Sequence, residues 1–245
     1  MTKILIYDIE TFPNLAYVWG KYEQDVIAYE RETVLASFAY KWYGESKTHV
    51  VALNDFKSYK KDKFNDYELV KKLYELFNEA DVVLAHNGNS FDQKKVQARF
   101  IYWGFNPPKP YQQIDTKLVF RRYFNLNSNK LDDIGNYLGI GRKIQTGGFN
   151  LWLGCMNGDK KAWDKMKRYN IQDVVLLDKV YKKVKGWIHN HPNLSVEAGI
   201  FMCKNCGSKK VQQRGWVQRL TGAVKRFQCN DCGAWGQLST NKLMK

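Results

Sequence analysis

The sequence has no long apolar run, no internal repeat and no low-complexity segment. No stretch approaches the roughly 20 apolar residues that a membrane-spanning helix needs, so we expect no such helix. Residues 1–6 lack the apolar core of a secretory signal and lead directly into a predicted strand. With a hydrophobic fraction of 44% and a charged fraction of 26%, these absences predict a globular, cytoplasmic protein.

Acidic residues are scarce relative to basic ones. The chain has 24 Asp and Glu against 39 Lys and Arg, which gives a formal net charge of +15 and a pI near 9.5. Such an excess favours a polyanionic partner, most often nucleic acid. The excess is uneven, because residues 199–245 hold nine basic residues and a single acid, Asp231. This tail is either a nucleic-acid-binding segment or a solubilising device.

Stretches rich in β-branched and aromatic residues precede and then alternate with stretches of helical periodicity, which predicts a mixed α/β sheet with helices on its faces. Strands are predicted at residues 3–8, 15–20, 34–43, 49–53, 81–85 and 113–116, the last of which leads into the start of a helix. Helices are predicted at 66–77, 91–103 and 131–140, and residues 162–188 form either one long helix or a broken pair. Asp66 is the predicted N-cap of the first helix. A break containing proline and glycine divides the chain into a domain at 1–188, a linker at 189–199 and a small domain at 200–245.

Two carboxylates end the first predicted strand. In the segment Ile-Leu-Ile-Tyr-Asp-Ile-Glu-Thr, Asp8 and Glu10 are two positions apart and therefore share one face of the strand. Two like charges held this close repel each other unless a cation lies between them. Oxygen ligands favour Mg²⁺ or Mn²⁺ over zinc. The pair predicts a divalent-metal site, with the acidic end of an edge strand as the alternative.

Two further acids and a tyrosine are candidate site residues. Asp92 follows the loop after a predicted buried strand, where ligands of α/β sheets gather. Its alternative role is to interact with the dipole of a helix N-terminus. Tyr169 and Asp173 are four positions apart and share one face of a predicted helix. Asp173 opens an apolar run, so we expect its carboxylate at the edge of the core or paired to a positive group.

Taken together, these positions resemble the three exonuclease motifs of the DEDD superfamily, in the subtype with a tyrosine in the third motif. The motifs are Asp8-x-Glu10, Asn87-x3-Phe91-Asp92 and Tyr169-x3-Asp173. The resemblance covers residues 1–188. It implies a ribonuclease H-like fold, with a mixed five-stranded sheet flanked by helices, and the 3'–5' exonuclease activity of DnaQ-like proteins.

The resemblance also implies roles for single residues. Two Mg²⁺ or Mn²⁺ ions would be held by the four acids of the motifs. Tyr169 would orient the attacking water, because a phenol with a pKa near 10 suits this better than general-base chemistry. Contacts to the nucleic acid are implied for Thr11 and Phe12, at the terminal nucleotide, and for Asn87 and Phe91, along the path of the strand.

Three other polar residues are interpreted from their context. In the glycine-bearing loop at 142–149, Lys143 is a candidate phosphate contact, with plain solvation of the loop as the alternative. His86 and Asp115 are interpreted as residues with local hydrogen-bonding or capping roles.

Four of the five cysteines form two C-x2-C pairs: Cys203, Cys206, Cys229 and Cys232. The 22 residues between the pairs are close to the spacing of a four-cysteine zinc site. In an intracellular protein this pattern favours one structural Zn²⁺ over disulfides, with a redox role as the alternative. The segment resembles the zinc ribbons of transposase and phage DNA-binding proteins. Cys155 has no partner by spacing and is expected to be buried.

Basic and aromatic residues are interleaved between the two cysteine pairs. The candidates for nucleic-acid binding are Arg214, Trp216, Arg219, Lys225 and Arg226. Basic groups would neutralise phosphates while an aromatic ring stacks on an unpaired base. The alternative is that Trp216, Phe227 and Trp235 fill the small core of the ribbon, and we favour this for Trp235.

These features predict a 3'–5' exonuclease acting on DNA, as a phage-type accessory of replication, repair or recombination. A polymerase or another replication or recombination protein is a candidate partner. Two alternatives are a 3'–5' exoribonuclease, since the same catalytic core serves RNA and discrimination depends on the 2'-OH, and a non-catalytic nucleic-acid adaptor.

Overall fold

The computed structural model describes residues 2–22, 25–195, 202–220 and 222–237. Its strands are β1 (Ile4–Thr11), β2 (Leu15–Tyr17), β3 (Ala28–Arg31), β4 (Leu35–Trp42), β5 (His49–Ala52), β6 (Val82–Ala85), β7 (Gln112–Asp115), β8 (Val211–Arg219), β9 (Gly222–Cys229) and β10 (Trp235–Gln237). Its α-helices are α1 (Tyr67–Glu79), α2 (Asp92–Tyr102), α3 (Thr116–Tyr123), α4 (Leu131–Tyr137), α5 (Asn150–Asn157) and α6 (Lys160–Val184).

A mixed five-stranded sheet with the order β5-β4-β1-β6-β7 organises the larger part of the chain. β1 is its central strand and pairs antiparallel with β4 and parallel with β6. β4 and β5 are antiparallel, whereas β6 and β7 are parallel. The fold is therefore ribonuclease H-like, with helices on both faces of the sheet, as predicted.

The alternation of side chains along β1 divides the core into two layers. Leu5, Tyr7 and Ile9 pack with buried residues of α1 and α2 on one face. Ile4 and Ile6 pack with α3, α4 and α6 on the other. Successive strand residues point to opposite faces, so the next even positions of β1 also face the α6 side.

Among the elements that were not predicted are β3 and α5. β3 pairs with β2 in a separate two-stranded hairpin whose residues are mostly exposed. α5 follows the predicted glycine-bearing loop and packs against α6. Gly154 permits this contact, because a Cβ at that position would lie 2.7 Å from the Cβ of Ala162. None of the helices in the described ranges is long and apolar enough to cross a membrane.

The predicted capping role of Asp66 is wrong. Its side chain accepts no capping hydrogen bond from α1. It is completely buried and accepts from the guanidinium of Arg99, with Nε at 2.8 Å and Nη2 at 2.6 Å. The backbone N–H of Leu35 (2.9 Å) and the indole N–H of Trp103 (2.7 Å) also donate to it. A buried carboxylate needs such compensation, and here the partners come from two segments, the start of β4 and the end of α2.

The beginning of the predicted linker packs against the larger domain. His191 is buried, and its Nε2 lies 2.6 Å from the hydroxyl of Tyr181. Leu194 belongs to the same core layer as α6. Residues 196–199 of the predicted linker lie outside the described residues, and the division at 188 stays a prediction.

The C-terminal described segment is a three-stranded antiparallel sheet with the order β10-β9-β8. We call residues 202–237 the cysteine ribbon. Its small core contains the buried Cys203, Cys229 and Ala234. Phe227 is also buried, and the ring lies against Gly236, where a Cβ would be 2.0 Å from the ring.

Candidate active site

β1 presents two acids near its C-terminal end. Asp8 and Glu10 continue the face of Ile4 and Ile6, which packs on α6. The register with β4 is regular through Glu10 and shifts between Glu10 and Thr11. Because β1 lies between two partners, both acids are held inside the sheet and are not at its edge.

α6 supplies a third acid to the same place. One carboxylate oxygen from each of Asp8, Glu10 and Asp173 lies within 4.8 Å of the other two. We call these three residues the acidic cluster. Asp173 is 1% exposed, whereas the other two acids are partly exposed. The α6 side of the cluster is therefore buried, whereas its β1 side is accessible to solvent.

Asp92, the fourth predicted acid, lies beside the cluster but outside that group of three. It begins α2, is 3% exposed, and its Oδ1 accepts a hydrogen bond from the backbone N–H of Ile9 at 3.3 Å. Its charge still acts on the cluster, because it is among the neighbours that raise the pKa of Asp8.

Asn170 is a site residue that the sequence analysis missed. Its Nδ2 donates to Oδ2 of Asp8 at 2.7 Å, and its Oδ1 accepts from the hydroxyl of Ser37 at 3.0 Å. Asn170 is completely buried and lies three positions before Asp173 on α6. Spacing alone placed it near Asp173, but the link to Asp8 depends on how α6 crosses the sheet.

The pKa values show how unfavourable it is for the acids to be charged together without a cation. Burial, followed by the charge of Asp173, raises the pKa of Asp8 well above its usual value. The same two causes raise the pKa of Glu10 from 4.5 to about 8. Burial also raises the pKa of Asp92, to about 6, and that of Asp173.

Lys143 supplies a positive charge to the cluster. Its Nζ lies 2.6 Å from Oδ2 of Asp173 and 3.4 Å from the hydroxyl of Tyr169. Burial on its own lowers the pKa of Lys143, but the charges of Asp173 and Asp8 outweigh burial and raise it. Lys143 is therefore protonated and acts as an internal counterion. The predicted contact of Lys143 with a phosphate stays a prediction.

Tyr169 lies one turn before Asp173 on α6, at the side of the cluster. Burial and the charge of Asp173 raise its pKa, so its phenol is neutral near pH 7. The ring packs against Trp152 of α5, with centroids 6.4 Å apart. Trp152 also forms a hydrogen bond with the carboxylate of Glu10 that lowers the pKa of that acid. The unpredicted helix α5 thus supports two site residues.

The four residues expected to contact nucleotides differ in exposure. Phe12 is completely buried and packs against Phe64 and Trp163 at 5.8 Å, so its predicted contact with the terminal nucleotide is wrong. The physical reason is that Phe12 fills the core beneath the end of β1. Thr11 is partly exposed, and Phe91 is 40% exposed just before α2.

Asn87, the fourth of these residues, adopts a left-handed backbone conformation with φ of 71°. Its Oδ1 accepts a hydrogen bond from Nζ of Lys117 at 3.1 Å. Its backbone N–H donates to Asp115 at 2.9 Å. The side chain is therefore engaged within the protein, and its contact with nucleic acid stays a prediction.

His86 and Asp115 have the predicted local roles. The ring nitrogens of His86 lie 2.9 Å from the hydroxyl of Thr116 and 2.9 Å from the carbonyl oxygen of Asn129. Burial lowers the pKa of His86 to about 4, so its ring is neutral at pH 7. Asp115 caps α3 by accepting from the backbone N–H of Lys117.

The four paired cysteines meet in the cysteine ribbon. The Sγ atoms of Cys203 and Cys232 are 3.7 Å apart, and those of Cys206 and Cys229 are 3.6 Å apart. All four sulfurs lie within 4.8 Å of one another. A tetrahedron with Zn–S bonds of about 2.3 Å has edges of about 3.8 Å, so the arrangement is compatible with a zinc ribbon. Cys155 is buried far along the chain from this group, as predicted.

The basic and aromatic candidates of the ribbon lie mostly at its surface. Trp216 is 53% exposed, and Nζ of Lys225 lies 6.0 Å from its ring. Trp235 is 49% exposed, so the expectation that it fills the ribbon core is wrong. Gly236 faces the buried Phe227, and the alternation of β10 turns Trp235 to the opposite face. Arg214 and Arg219 on β8 and Arg226 on β9 are also exposed.

The acidic cluster has the donor set that Mg²⁺ or Mn²⁺ requires. Its ligand atoms are carboxylate oxygens from two secondary-structure elements, which suits hard cations. Oδ1 of Asp173 is buried and has no hydrogen-bond partner among the described residues, so it is available as a ligand. A divalent cation would also remove the repulsion that raises the pKa values of these acids.

A mixed five-stranded sheet with acids on its central strand and a facing long helix defines a ribonuclease H-like domain. A family model described as the RNase_H superfamily matches residues 5–185, and the chain belongs to this superfamily. No curated protein matches the sequence. Membership of this superfamily supports a nuclease-type function. Nucleases of the superfamily use divalent metals and bind nucleic acid.

Proposed function

We propose that this protein is a metal-dependent 3'–5' exonuclease that hydrolyses phosphodiester bonds at the 3' ends of DNA. The observation that carries the proposal is the acidic cluster, in which carboxylates from β1 and α6 come within 4.8 Å of one another. The direction of cleavage rests on the resemblance of the three motifs to the tyrosine-type DEDD exonucleases. The net charge of +15 favours a nucleic-acid substrate.

Asp8, Glu10, Asp92 and Asp173 would hold two Mg²⁺ or Mn²⁺ ions. The ions would lower the pKa of a bound water and stabilise charge on the leaving oxygen. Asn170 holds Oδ2 of Asp8 at 2.7 Å and thereby fixes the orientation of one ligand. Asp92 would complete the set from beside the cluster, where the backbone N–H of Ile9 holds its carboxylate next to β1.

Tyr169 would orient the attacking water. A neutral phenol donates a hydrogen bond but cannot remove a proton at pH 7, and the raised pKa keeps Tyr169 neutral. Lys143 lies 2.6 Å from Asp173 and has a flexible side chain, so its ammonium would move to a phosphate oxygen once Asp173 binds metal. In this proposal Thr11, Asn87 and Phe91 form the rim that the terminal nucleotides cross.

The cysteine ribbon would hold one structural Zn²⁺ through its four cysteines and bind the substrate through its exposed basic residues. Because these side chains lie on the surface of β8 and β9, they can reach phosphates without rearrangement of the ribbon core. Binding through such contacts weakens steeply with salt. A role as an accessory in DNA replication, repair or recombination fits a nuclease domain that is joined to such a module.

The test is a time course on one sequence prepared as single-stranded DNA, blunt duplex, recessed duplex and RNA. Each is labelled at the 5' end in one set and at the 3' end in another, with Mn²⁺, Mg²⁺ or a chelator. We expect a ladder of shortening 5'-labelled DNA and immediate release of 3'-labelled mononucleotide, only with metal. Faster degradation of RNA would identify an exoribonuclease, and the absence of release from every substrate would favour an adaptor.

A further inference from the structure

A cleft lies beside the contact between the cysteine ribbon and the turn that follows α6. Its volume is about 560 Å³. Trp187 and His189 line it on the side of the larger domain, and Lys204, Gln228 and Trp235 line it on the side of the ribbon. We call it the ribbon cleft. It lies away from the acidic cluster, because Trp187 follows Asp173 by fourteen positions, about 20 Å along a helical axis.

Close contacts fix the two walls of the cleft relative to each other. Nδ2 of Asn205 donates to the carbonyl oxygens of Lys185 at 2.7 Å and Ile188 at 3.1 Å. Gly186 lies directly against the ribbon backbone, since a Cβ at that position would be 2.0 Å from the carbonyl oxygen of Cys232. The ribbon is therefore seated on the turn after α6, where a larger residue than glycine would displace it.

Both tryptophans of the cleft are anchored and still half exposed. The ring of Trp187 is 59% exposed and meets the ring of Phe124 edge-on, with centroids 5.6 Å apart. Trp235 is 49% exposed and has the guanidinium of Arg226 4.9 Å from its ring. Two exposed indoles that are already held in place lose little conformational entropy when they bind a flat ligand.

The polar groups of the cleft complement a nucleotide. Trp235 pairs with Gln228 in the register of β10 and β9, which puts an amide beside the indole where it can reach the edge of a stacked base. Lys204 supplies a positive charge at the wall, with its Nζ 2.9 Å from the carbonyl oxygen of His189. None of the described residues that line the cleft is acidic. A phosphate is therefore attracted to the same place as the base.

We propose that the ribbon cleft binds an unpaired nucleotide of a single-stranded nucleic acid, with its base stacked on Trp187 and Trp235. This inference deepens the proposed function and rests on it. If the acidic cluster cleaves the 3' end of a strand, the ribbon cleft binds a nucleotide of the same strand on the 5' side of that end. At about 3.4 Å per stacked nucleotide, 20 Å corresponds to roughly six nucleotides. The ribbon then selects unpaired strands, whereas the acidic cluster cleaves them.

The first test measures binding of a fluorescent dT12 strand to the Asp8→Asn protein with zinc in place and no added Mg²⁺. We expect Trp187→Ala and Trp235→Ala in this background to weaken binding by about 5- to 100-fold each, because base stacking is lost. Trp187→Phe should restore part of the affinity. The matched control is Trp19→Ala, since Trp19 is 89% exposed and does not line the cleft.

Two further measurements test whether the position of the ribbon matters for binding and where on the protein the strand binds. Gly186→Ala should weaken binding of dT12 while the zinc content is unchanged, because the ribbon would be displaced. Photocrosslinking of a strand containing 5-bromouracil, followed by mass spectrometry, should give adducts on Trp187 or Trp235. Unchanged affinity of both tryptophan variants, or adducts only at Trp216 and other sites outside the cleft, would overturn the inference.

The outcomes distinguish this inference from the proposed function. If the wild-type protein releases no nucleotides but the cleft variants lose affinity for dT12, the cleft is a binding site of a non-catalytic protein. If the wild-type protein degrades DNA while the cleft variants bind dT12 as tightly as their parent, the proposed function stands and the cleft inference is wrong.

Discussion

At the scale of single residues, the acidic cluster is held together against electrostatic repulsion. One carboxylate oxygen from each of Asp8, Glu10 and Asp173 lies within 4.8 Å of the other two. Burial raises the pKa of all three acids, and the charge of Asp173 raises those of Asp8 and Glu10 further. Lys143 offsets part of this repulsion through its contact with Asp173. A bound divalent cation would offset more of it, so binding of the cation would stabilise the folded protein.

A first prediction concerns Glu10, whose pKa is raised from 4.5 to about 8. The folded protein holds this proton more tightly than the unfolded chain, so the free energy of unfolding falls as pH rises from about 4.5 to about 8. Glu10→Gln should therefore raise the Tm of the metal-free protein at pH 8 by roughly 2–8 °C and leave it unchanged near pH 4.5.

Differential scanning calorimetry with and without Mn²⁺ measures this effect. The exposed Glu75→Gln on α1 is the matched control and should have the Tm of the wild type at both pH values. Mn²⁺ should stabilise the wild type more than Glu10→Gln. A lower Tm for Glu10→Gln at pH 8 would contradict the account.

A second prediction concerns Lys143. Its ammonium contacts Oδ2 of Asp173 and adds positive charge where a cation would bind, so Lys143→Met should tighten Mn²⁺ binding by about 3- to 10-fold. Isothermal titration of metal measures the change. Lys165→Met is the matched control, because Lys165 donates to the carbonyl oxygen of Thr146 in the same loop and does not contact the acids. Weaker Mn²⁺ binding by Lys143→Met would show that the lysine supports the metal-binding geometry.

At the scale of secondary-structure elements, one buried ion pair links α1 to α2. Asp66 precedes α1, and Arg99 on α2 donates two hydrogen bonds to it. Asp66→Asn would leave the guanidinium of Arg99 buried without its carboxylate, which we expect to lower the free energy of unfolding by about 3–5 kcal/mol. Urea denaturation measures this loss. With the exposed Asp62→Asn as control, equal stability of the two variants would mean that the pair contributes little.

The elements that carry the site were predicted to different degrees. The alternation of apolar residues and acids in β1 placed Asp8 and Glu10 on one face, and the spacing of Tyr169 and Asp173 placed them on one side of α6. Both patterns are local, so the sequence contains them. The position of Asn170 against Asp8 depends on the crossing of α6 over the sheet, which no local pattern encodes.

Other elements escaped prediction for physical reasons. α5 is only eight residues long and contains Gly154, a poor helix former, but packing against Ala162 of α6 stabilises it. Phe12 was predicted from the motif resemblance to touch a nucleotide, yet tertiary packing with Phe64 and Trp163 buries it. In both cases tertiary packing, which no local pattern encodes, decides the outcome.

At the scale of the whole molecule, the chain combines an acidic cluster in the larger domain with a basic, cysteine-bearing ribbon. The ribbon has few buried apolar residues, and three of its core positions are Cys203, Cys229 and Ala234. We therefore expect its folding to depend on metal, since binding of zinc supplies folding energy that such a small core lacks.

This expectation gives a prediction for zinc content and binding. The wild type should hold one zinc per chain by elemental analysis, and Cys232→Ser should hold substantially less. The variant should bind dT12 at least about tenfold more weakly, whereas cleavage at saturating substrate should be nearly unchanged. Cys155→Ala is the control, because Cys155 lies outside the four-cysteine group. Full zinc content in Cys232→Ser would contradict a four-cysteine site.

The most direct test of the central claim compares the wild type with Asp8→Asn in the release of nucleotides from 3'-labelled DNA with Mn²⁺. Asp164→Asn, an exposed substitution on α6, is the matched control. We expect Asp8→Asn to lower the rate by more than about 100-fold while binding of dT12 is preserved, because a metal ligand is lost and the fold is not. Wild-type rates in Asp8→Asn would contradict a metal-dependent nuclease centred on the acidic cluster.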